Sequence, residues 1–432
     1  MSISFNTLGL TPPMVATLAK RGYQNATSIQ AQLIPEFLNT SDDLIALAAT
    51  GTGKTGAFGI PLIDQMDKTI KHVQALVLAP TRELASQVAK ELGHFSVKTG
   101  IAVVELCGGQ GMRDQIQQLK RLKQPTIAVG TPGRVLDHLD KKRLHAKHLS
   151  YFIIDEVDEM LNFGFKEDMD RIVAHLPTDR RTIILSATLP PFVMKVAKAY
   201  LDQPKKINAM SEADAKPNID EHYYRVKKIS KFQLLCRVMD AMVGFYGFIF
   251  CNTKREVDEL AEKLLRLGYP VESMHGDLSQ TQRNRALERF KTKQCHILVV
   301  TDVAARGIDV KNISHVINFA VPQNLEAYTH RIGRTGRAGQ SGVAITFVTE
   351  NQMFKFKRLL KSRSFKQMTV PQAKDIINLK KDGFISQLKT RKENSFYSDI
   401  ARQILSEFES PDAAVSALLQ LRCGDVFNKS NY

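Results

Sequence analysis

The sequence predicts a parallel α/β protein of two tandem domains followed by a short helical extension. Three observations carry that reading. Nearly continuous apolar runs recur in two sets, helical stretches lie between them, and a segment without apolar period separates the sets. The first set is ALVLAP (75–80), TIAVGTP (126–132), YFIIDE (151–156) and TIILSAT (182–188). The second is GFIFCNT (247–253), HILVVTD (296–302), HVINFAV (315–321) and VAITFV (343–348). Runs that stay apolar at successive residues suit strands buried on both faces of a parallel sheet.

The intervening helices include ELASQVAKELGHF (83–95) and REVDELAEKLLRLG (255–268), and strand–helix–strand repetition gives a parallel sheet. Between the sets, QPKKINAMSEADAKPNID (203–220) has two prolines and mixed charge, and is the linker candidate. The expected division is 1–208, a linker at 209–217, a second domain at 218–365 and a helical extension at 366–432. Within the extension, SFYSDIARQILSEF (395–408) and SPDAAVSALLQL (410–421) show helical apolar spacing, and the second opens with a helix-starting Ser.

Bulk properties narrow the function. A chain of 432 residues exceeds one ordinary domain, and 43% hydrophobic with 24% charged residues is a folded, globular composition. There is no Trp, and 7% aromatic residues argue against a surface that works mainly by stacking. Sixty Lys plus Arg against 44 Asp plus Glu leave a charge of +16. That surplus favours a polyanion, nucleic acid before an anionic membrane, without separating RNA from DNA. The cysteines at 107, 236, 251, 295 and 423 form no C-x2-C pair, which suits free thiols in a reducing, cytoplasmic setting. MSISFNTLGL lacks the charged and apolar parts of a signal peptide, and no membrane span is expected.

The chemistry starts at AATGTGKTGAF (48–58), directly after the apolar run LIAL (44–47). Thr50, Gly51, Thr52 and Gly53 form a loop whose backbone N–H groups can face one phosphate chain. Lys54 supplies a point charge for the β and γ phosphates of ATP, and Thr55 a hydroxyl for Mg²⁺. Ala48 stands where the strict phosphate-loop pattern has Gly. Asp155 and Glu156 end another buried strand, in place to hold Mg²⁺ through water and to orient or deprotonate the attacking water. An acidic turn after a strand is the plainer reading of the same residues.

Taken with the motifs that follow, the sequence resembles the DEAD-box RNA helicase family of superfamily 2 over residues 5–365. The resemblance implies two RecA-like domains that close together on ATP and single-stranded RNA. GYQNATSIQ (22–30) resembles the family's adenine-reading segment, which implies Gln30 at the adenine edge, Thr27 in support and Phe5 packed on the base. Core packing is the alternative for Phe5 and Tyr23. APTRELA (79–85), CGG (107–109) and TPGR (131–134) resemble RNA-contacting motifs. They imply phosphate contacts from Arg82, Gly108, Gly109, Thr131, Gly133 and Arg134, and Arg side chains with close-approaching backbone suit that role. SAT (186–188) implies that Ser186 and Thr188 couple the nucleotide site to closure.

In the second domain FCNTK (250–254) resembles a motif leading into RNA contacts, and HGDLSQTQR (275–283) implies roles for Gln280 and Arg283. TDVAARGIDV (301–310) implies Thr301 and Gly307 on RNA and Asp309 on the ribose of ATP. YTHRIGRTGRAG (328–339) implies His330 at the domain interface and Arg334 and Arg337 as arginine fingers. Read without the family, that string is equally a basic RNA patch or a solvated loop.

Two departures stand out. Val157 replaces the Ala of Asp-Glu-Ala-Asp, and Ala49 replaces a usual Gln. The extension resembles the segment after the core in cold-shock-associated bacterial members, which implies a homodimer through 370–432; a helix pair packed back on the second domain is the alternative. The activity implied is RNA-stimulated hydrolysis of ATP, coupled to closure and to local unwinding of short duplexes or RNA–protein remodelling. Ribosomal precursors and RNA-decay proteins are the implied partners. A DNA translocase and a nucleotide-gated RNA clamp remain competing readings.

Overall fold

The structure is a computed structural model that describes residues 3–49, 51–109, 111–210, 218–226, 230–242, 244–305, 308, 310, 312–336, 340–360, 363–390 and 395–423. The chain divides into two compact units whose main boundary falls between residues 217 and 218.

The first unit is built on seven parallel strands. In chain order these are Leu44–Leu47, Val73–Leu78, Ala102–Leu106, Thr126–Gly130, Tyr151–Ile154, Arg181–Ser186 and Lys205–Asn208. Across the sheet they run third, fourth, second, fifth, sixth, first, seventh. The strand period of two divides their apolar residues between two cores. Leu44, Ala46, Ala75, Val77, Ile127 and Val129 face one, while Ile45, Leu76, Leu78, Ala128 and Phe152 face the other. This is why those strands read as unbroken apolar runs. A small antiparallel ribbon, Ile3–Ser4 with Asn25–Ala26, precedes the sheet in the chain.

The second unit has the strands Ile219–Val226, Gly247–Cys251, Val271–Met274, Ile297–Thr301, His315–Asn318, Gly342–Thr349 and Lys366–Gln367. All pair in parallel, and numbered within this sheet their order is the same as in the first. The two units are therefore topological duplicates. In parallel sheets of this kind all strands end at one edge, and ligands are held by the loops leaving it. Every motif of the first unit from residue 48 to 188 sits in such a loop or the helix start after it.

Each predicted strand is present, with bounds shifted by a few residues. Five strands carry no such run: Ala102–Leu106, Lys205–Asn208, Ile219–Val226, Val271–Met274 and Lys366–Gln367. Lys205–Asn208 and Ile219–Val226 take up the two ends of the linker candidate 203–220. The former pairs with Leu44–Leu47 and the latter with Gly342–Thr349, so both ends of that segment belong to sheets. Only Ile207 of Lys205–Asn208 is buried, and a strand with one buried residue shows no apolar period.

After the second sheet, helix Ala373–Lys389 lays Ile376 into the core beside Leu234, Val238 and Phe347, and Lys380 pairs with Asp240 at 2.7 Å. Helices Ser395–Ser406 and Pro411–Cys423 follow, the second opened by Ser410 Oγ accepting from the Ala413 N–H at 3.1 Å. These last helices and the turn between them leave Tyr397, Leu405, Phe408, Val415, Leu418 and Leu421 exposed. Among the described residues no helix is long and apolar enough to cross a membrane, and Cys107, Cys236, Cys251 and Cys295 are buried free thiols.

Candidate nucleotide and nucleic-acid sites

Strand Leu44–Leu47 is held on both sides, and the Ala48 N–H continues the pairing to Ser186 O at 3.1 Å. The chain then turns through Gly51 (φ +83°) and Gly53 (φ +92°) into helix Lys54–Gln65. Gly53 is required twice over. Its backbone is left-handed, and a Cβ there would lie 2.7 Å from Gln30 Nε2 and 3.2 Å from Thr27 Oγ1. No side chain caps this helix. Its first N–H groups are thus offered to an anion, and the helix dipole favours negative charge at the same point. Thr52 Oγ donates to Ala49 O at 2.8 Å and stiffens the loop.

Lys54, the first residue of that helix, is 6% exposed, and its Nζ has no hydrogen-bond partner. Asp155, 2% exposed, leaves Oδ1 equally without one. Burial pushes the Asp155 carboxyl well above the usual carboxylate range; the Lys54 ammonium opposes this and Glu156 adds to it. A buried ammonium and a buried carboxylate oxygen that lack hydrogen-bond partners are costly unless a ligand completes them. Glu156 has φ +53° and ψ +53°, a left-handed conformation that a non-glycine residue adopts at a cost. Val157 is fully buried in the core with Ile154, Met160 and Val193, so its extra methyls are packed.

Asp158 was not among the predicted site residues, yet it joins two of them to the acidic loop. Its Oδ2 accepts from Thr188 N at 3.0 Å and Thr188 Oγ at 2.9 Å, and Ser186 Oγ donates to Thr188 O at 2.6 Å. The acidic loop and the SAT loop are thereby one hydrogen-bonded piece.

Gln30 lies beside the phosphate loop. Its Oε1 accepts from Thr27 N at 3.0 Å as the reciprocal cap of helix Ser28–Asn39, and its Nε2 donates to Gly53 O at 3.2 Å. One amide hydrogen stays beyond those bonds. Phe5 is 2% exposed, in the core with Leu8, Met14 and Leu18, which is a packing position. Tyr23 sits edge-on to Phe95 with centroids 5.6 Å apart.

The loops after the second, third and fourth strands form a separate group. Arg82 opens helix Arg82–Phe95, and its guanidinium lies over Gly108, where a Cβ would come within 2.7 Å of Nη2. The glycine leaves room for that arginine. Gly109 follows with φ +84°, and Thr131 opens the helix that carries Gly133 and Arg134. Arg134 Nη1 donates to Gln115 Oε1 at 2.9 Å, His138 Nε2 meets the same oxygen at 3.0 Å, and Gln115 Nε2 donates to Cys107 O at 2.8 Å. Burial, then Arg134 and Arg143, hold His138 below its usual pKa. Gln115, 1% exposed, thus ties the CGG loop to the TPGR helix; as one of three Gln in its amphipathic helix it carries no local signal of this.

In the second unit Thr253 caps helix Lys254–Arg266 through the Glu256 N–H at 3.2 Å, and Lys254 pairs with Asp277 at 2.5 Å. Gln280 bonds Asn284 on the surface at 3.1 Å, and Thr301 Oγ accepts from Ala304 N at 3.4 Å. Arg283 Nη2 reaches Ala304 O at 3.5 Å, and Arg334 Nε donates to His330 O at 3.3 Å. Thr50, Gly307, Asp309 and Arg337 lie outside the described residues. Arg331, passed over in the sequence, is the buried hub here. It is 1% exposed and bonds Asp302 twice, Asn318 Oδ1, Ala320 O and Asn252 Oδ1.

Comparison with known proteins places this geometry. Residues 27–196 match the DEAD/DEAH box helicase family, and residues 230–339 match the helicase conserved C-terminal domain. The chain is 40% identical to the DEAD-box ATP-dependent RNA helicase CshA of Geobacillus kaustophilus, over 97% of this chain and 90% of that one. The chain belongs to the DEAD-box RNA helicase family.

This DEAD-box protein is also similar to solved members. A DEAD box protein from the hyperthermophile Methanococcus jannaschii is 40% identical, covering 85% of this chain and 99% of that one with a TM-score of 0.50. Dbp5 of S. cerevisiae, bound to RNA and ADP BeF3, is 28% identical, covering 88% and 99% with a TM-score of 0.76. As a DEAD-box helicase of two RecA-like domains, the chain is an ATP- and RNA-binding protein. Of its family motifs, those around Lys54, Asp155 and Ser186 leave the first, fifth and sixth strands. Those around Arg82, Gly108 and Arg134 leave the second, third and fourth. The two groups occupy different halves of one sheet edge.

Proposed function

We propose that this DEAD-box helicase hydrolyses ATP to ADP and phosphate under RNA stimulation and couples that to closure of its two domains. Closure drives local duplex unwinding or RNA–protein remodelling. The observation that carries this is the pair of buried polar atoms without hydrogen-bond partners, Lys54 Nζ and Asp155 Oδ1, in the unit that also has an uncapped helix start at Gly53. Lys54 takes the β and γ phosphates, and the N–H groups around Thr50, Gly51, Thr52 and Gly53 take their oxygens. Thr55 and Asp155 fit Mg²⁺, since the site offers a buried, unpartnered carboxylate oxygen. The ion neutralises phosphate charge when bound. Glu156 orients the water, Gln30 and Thr27 read adenine, and Asp309 takes the ribose. Arg334 and Arg337 stabilise charge on the transferred phosphoryl group, with His330 at the interface.

RNA lies along Arg82, Gly108, Gly109, Thr131, Gly133 and Arg134 in the first domain and Gln280, Arg283, Thr301 and Gly307 in the second. Backbone contacts of this kind position the strand without reading its bases. Ser186 and Thr188, bonded through Asp158 to the acidic loop, pass the state of one site to the other. ATP and RNA each favour closure and therefore tighten one another. The proposed division is 1–208, 209–217, 218–365 and 366–432, in a cytoplasmic protein. The exposed apolar residues of the last helices support a homodimer through 370–432. Ribosomal precursors or RNA-decay proteins are the proposed partners. Steady-state ATP hydrolysis, alone and with single-stranded RNA or DNA of matched sequence, tests this reading. Stimulation by RNA alone supports it; equal stimulation by DNA reopens the substrate, and none by either removes the coupling.

A further inference from the structure

Helix Leu325–Ile332 carries His330 and leads through Gly333 to Arg334. Its inner side is set by Tyr328 and Ile332, which are 1% and 0% exposed, and by Arg331 bonded to Asn318 of the sheet. A second anchor comes from residues distant in sequence. Tyr328 Oη donates to Glu221 Oε2 at 2.6 Å, and Arg363 Nη1 meets Glu221 Oε1 at 2.6 Å. Arg363 also donates from Nη2 to Thr329 Oγ at 3.2 Å, and its guanidinium lies 5.5 Å from the Tyr328 ring centroid. Phe365 packs on the same ring at 5.4 Å. Glu221 is on the first strand of the second sheet, and Arg363 lies between helix Met353–Leu360 and the last strand. Neither falls within the matched residues 230–339.

We propose that Arg363 and Glu221 are positioning residues for ATP hydrolysis: they clamp Tyr328 and Thr329 and so fix the placement of His330 and Arg334. The chemistry favours this. One carboxylate takes a phenol on one oxygen and a guanidinium on the other, and that guanidinium spends a second nitrogen on the adjoining helix residue. A fork of this kind fixes the helix along its axis as well as in rotation. Two consecutive residues before His330 are held, and an error of about 1 Å in a charged group can cost about a hundredfold in rate. The clamp also joins the extension to turnover, since the chain runs from Arg363 through Lys366–Gln367 into helix Ala373–Lys389.

The inference rests on the reading that Arg334 serves hydrolysis, so Arg334→Ala belongs in the experiment. In the full chain, RNA-stimulated kcat, KM for ATP and the melting midpoint are measured for R363A, R363K, E221Q and K380A. Lys380 pairs with Asp240 from the extension and serves as the control. The clamp predicts that R363A lowers kcat about tenfold while KM stays within about twofold. R363K recovers part of the rate, E221Q falls between, and K380A matches the parent protein. Wild-type kcat in R363A overturns the clamp, as does a loss of rate that follows the melting midpoint equally in R363A and K380A. If R334A is fully active, the parent reading fails first; if R334A is inactive and R363A normal, the clamp alone fails.

Discussion

The two units share a strand order, and each follows its first strand with a helix that begins on a lysine. What surrounds the two lysines differs at every point. In the first unit Gly53 leaves the helix uncapped and Lys54 is buried with Nζ unpartnered. In the second, Ser230 and Gln233 form a reciprocal capping box, with Ser230 Oγ accepting from Gln233 N at 3.1 Å. Lys231 donates to Phe319 O at 3.0 Å and stands 5.5 Å from the Phe319 ring centroid, with burial lowering its pKa. One end is open, and on the proposed function it receives an anion; the other is already closed by its own side chains. Topology supplies the place, and capping decides whether a ligand can use it.

Substitutions can break this contrast. The largest effect is expected at Lys54: Lys54→Ala should lower ATP turnover by about 10³-fold or more in a steady-state assay. Glu156→Gln should slow hydrolysis by about 10²–10⁴-fold while filter binding shows ATP analogue and RNA still held. Normal turnover in that variant would remove Glu156 from its proposed role. Asp158→Asn weakens the hold on Thr188, and about a tenfold drop in RNA-stimulated kcat is expected with basal hydrolysis less affected. An equal loss in both rates would deny it a coupling role.

Stability effects sharpen the comparison from the other side. Arg331→Ala leaves Asp302 without its buried partner and should cost about 3 kcal/mol in denaturant unfolding. Lys231→Met removes one hydrogen bond, so a cost of about 1 kcal/mol with kcat unchanged is expected. If Lys231→Met lost turnover as Lys54→Ala does, the second helix start would not be the closed one described.

The legible part of the molecule was the part governed by local pattern. Strands such as Val73–Leu78 and Ile297–Thr301 are buried on both faces and announce themselves as apolar runs. Ala102–Leu106 and Ile219–Val226 have partly exposed residues and did not. The phosphate-loop motif is legible because its residues are contiguous. The contacts of Gln115, Asp158 and Arg331 leave no local trace, because their partners come from separate strands and loops. Arg331 and Arg334 look alike in HRIGR. Arg331 lies within helix Leu325–Ile332 and turns into the Asp302–Asn318 pocket, whereas Arg334 follows the helix end at Gly333 and is half-buried. The clamp of Glu221 and Arg363 spans 142 positions and had no local trace.

The central claim is that only one of two duplicated helix starts takes nucleotide, and calorimetric titration of the full chain with a non-hydrolysable ATP analogue and Mg²⁺, in the presence of single-stranded RNA, tests it most directly. The account predicts one nucleotide per chain, lost in Lys54→Ala and kept in Lys231→Met. Two nucleotides per chain, or full binding retained without Lys54, would contradict it.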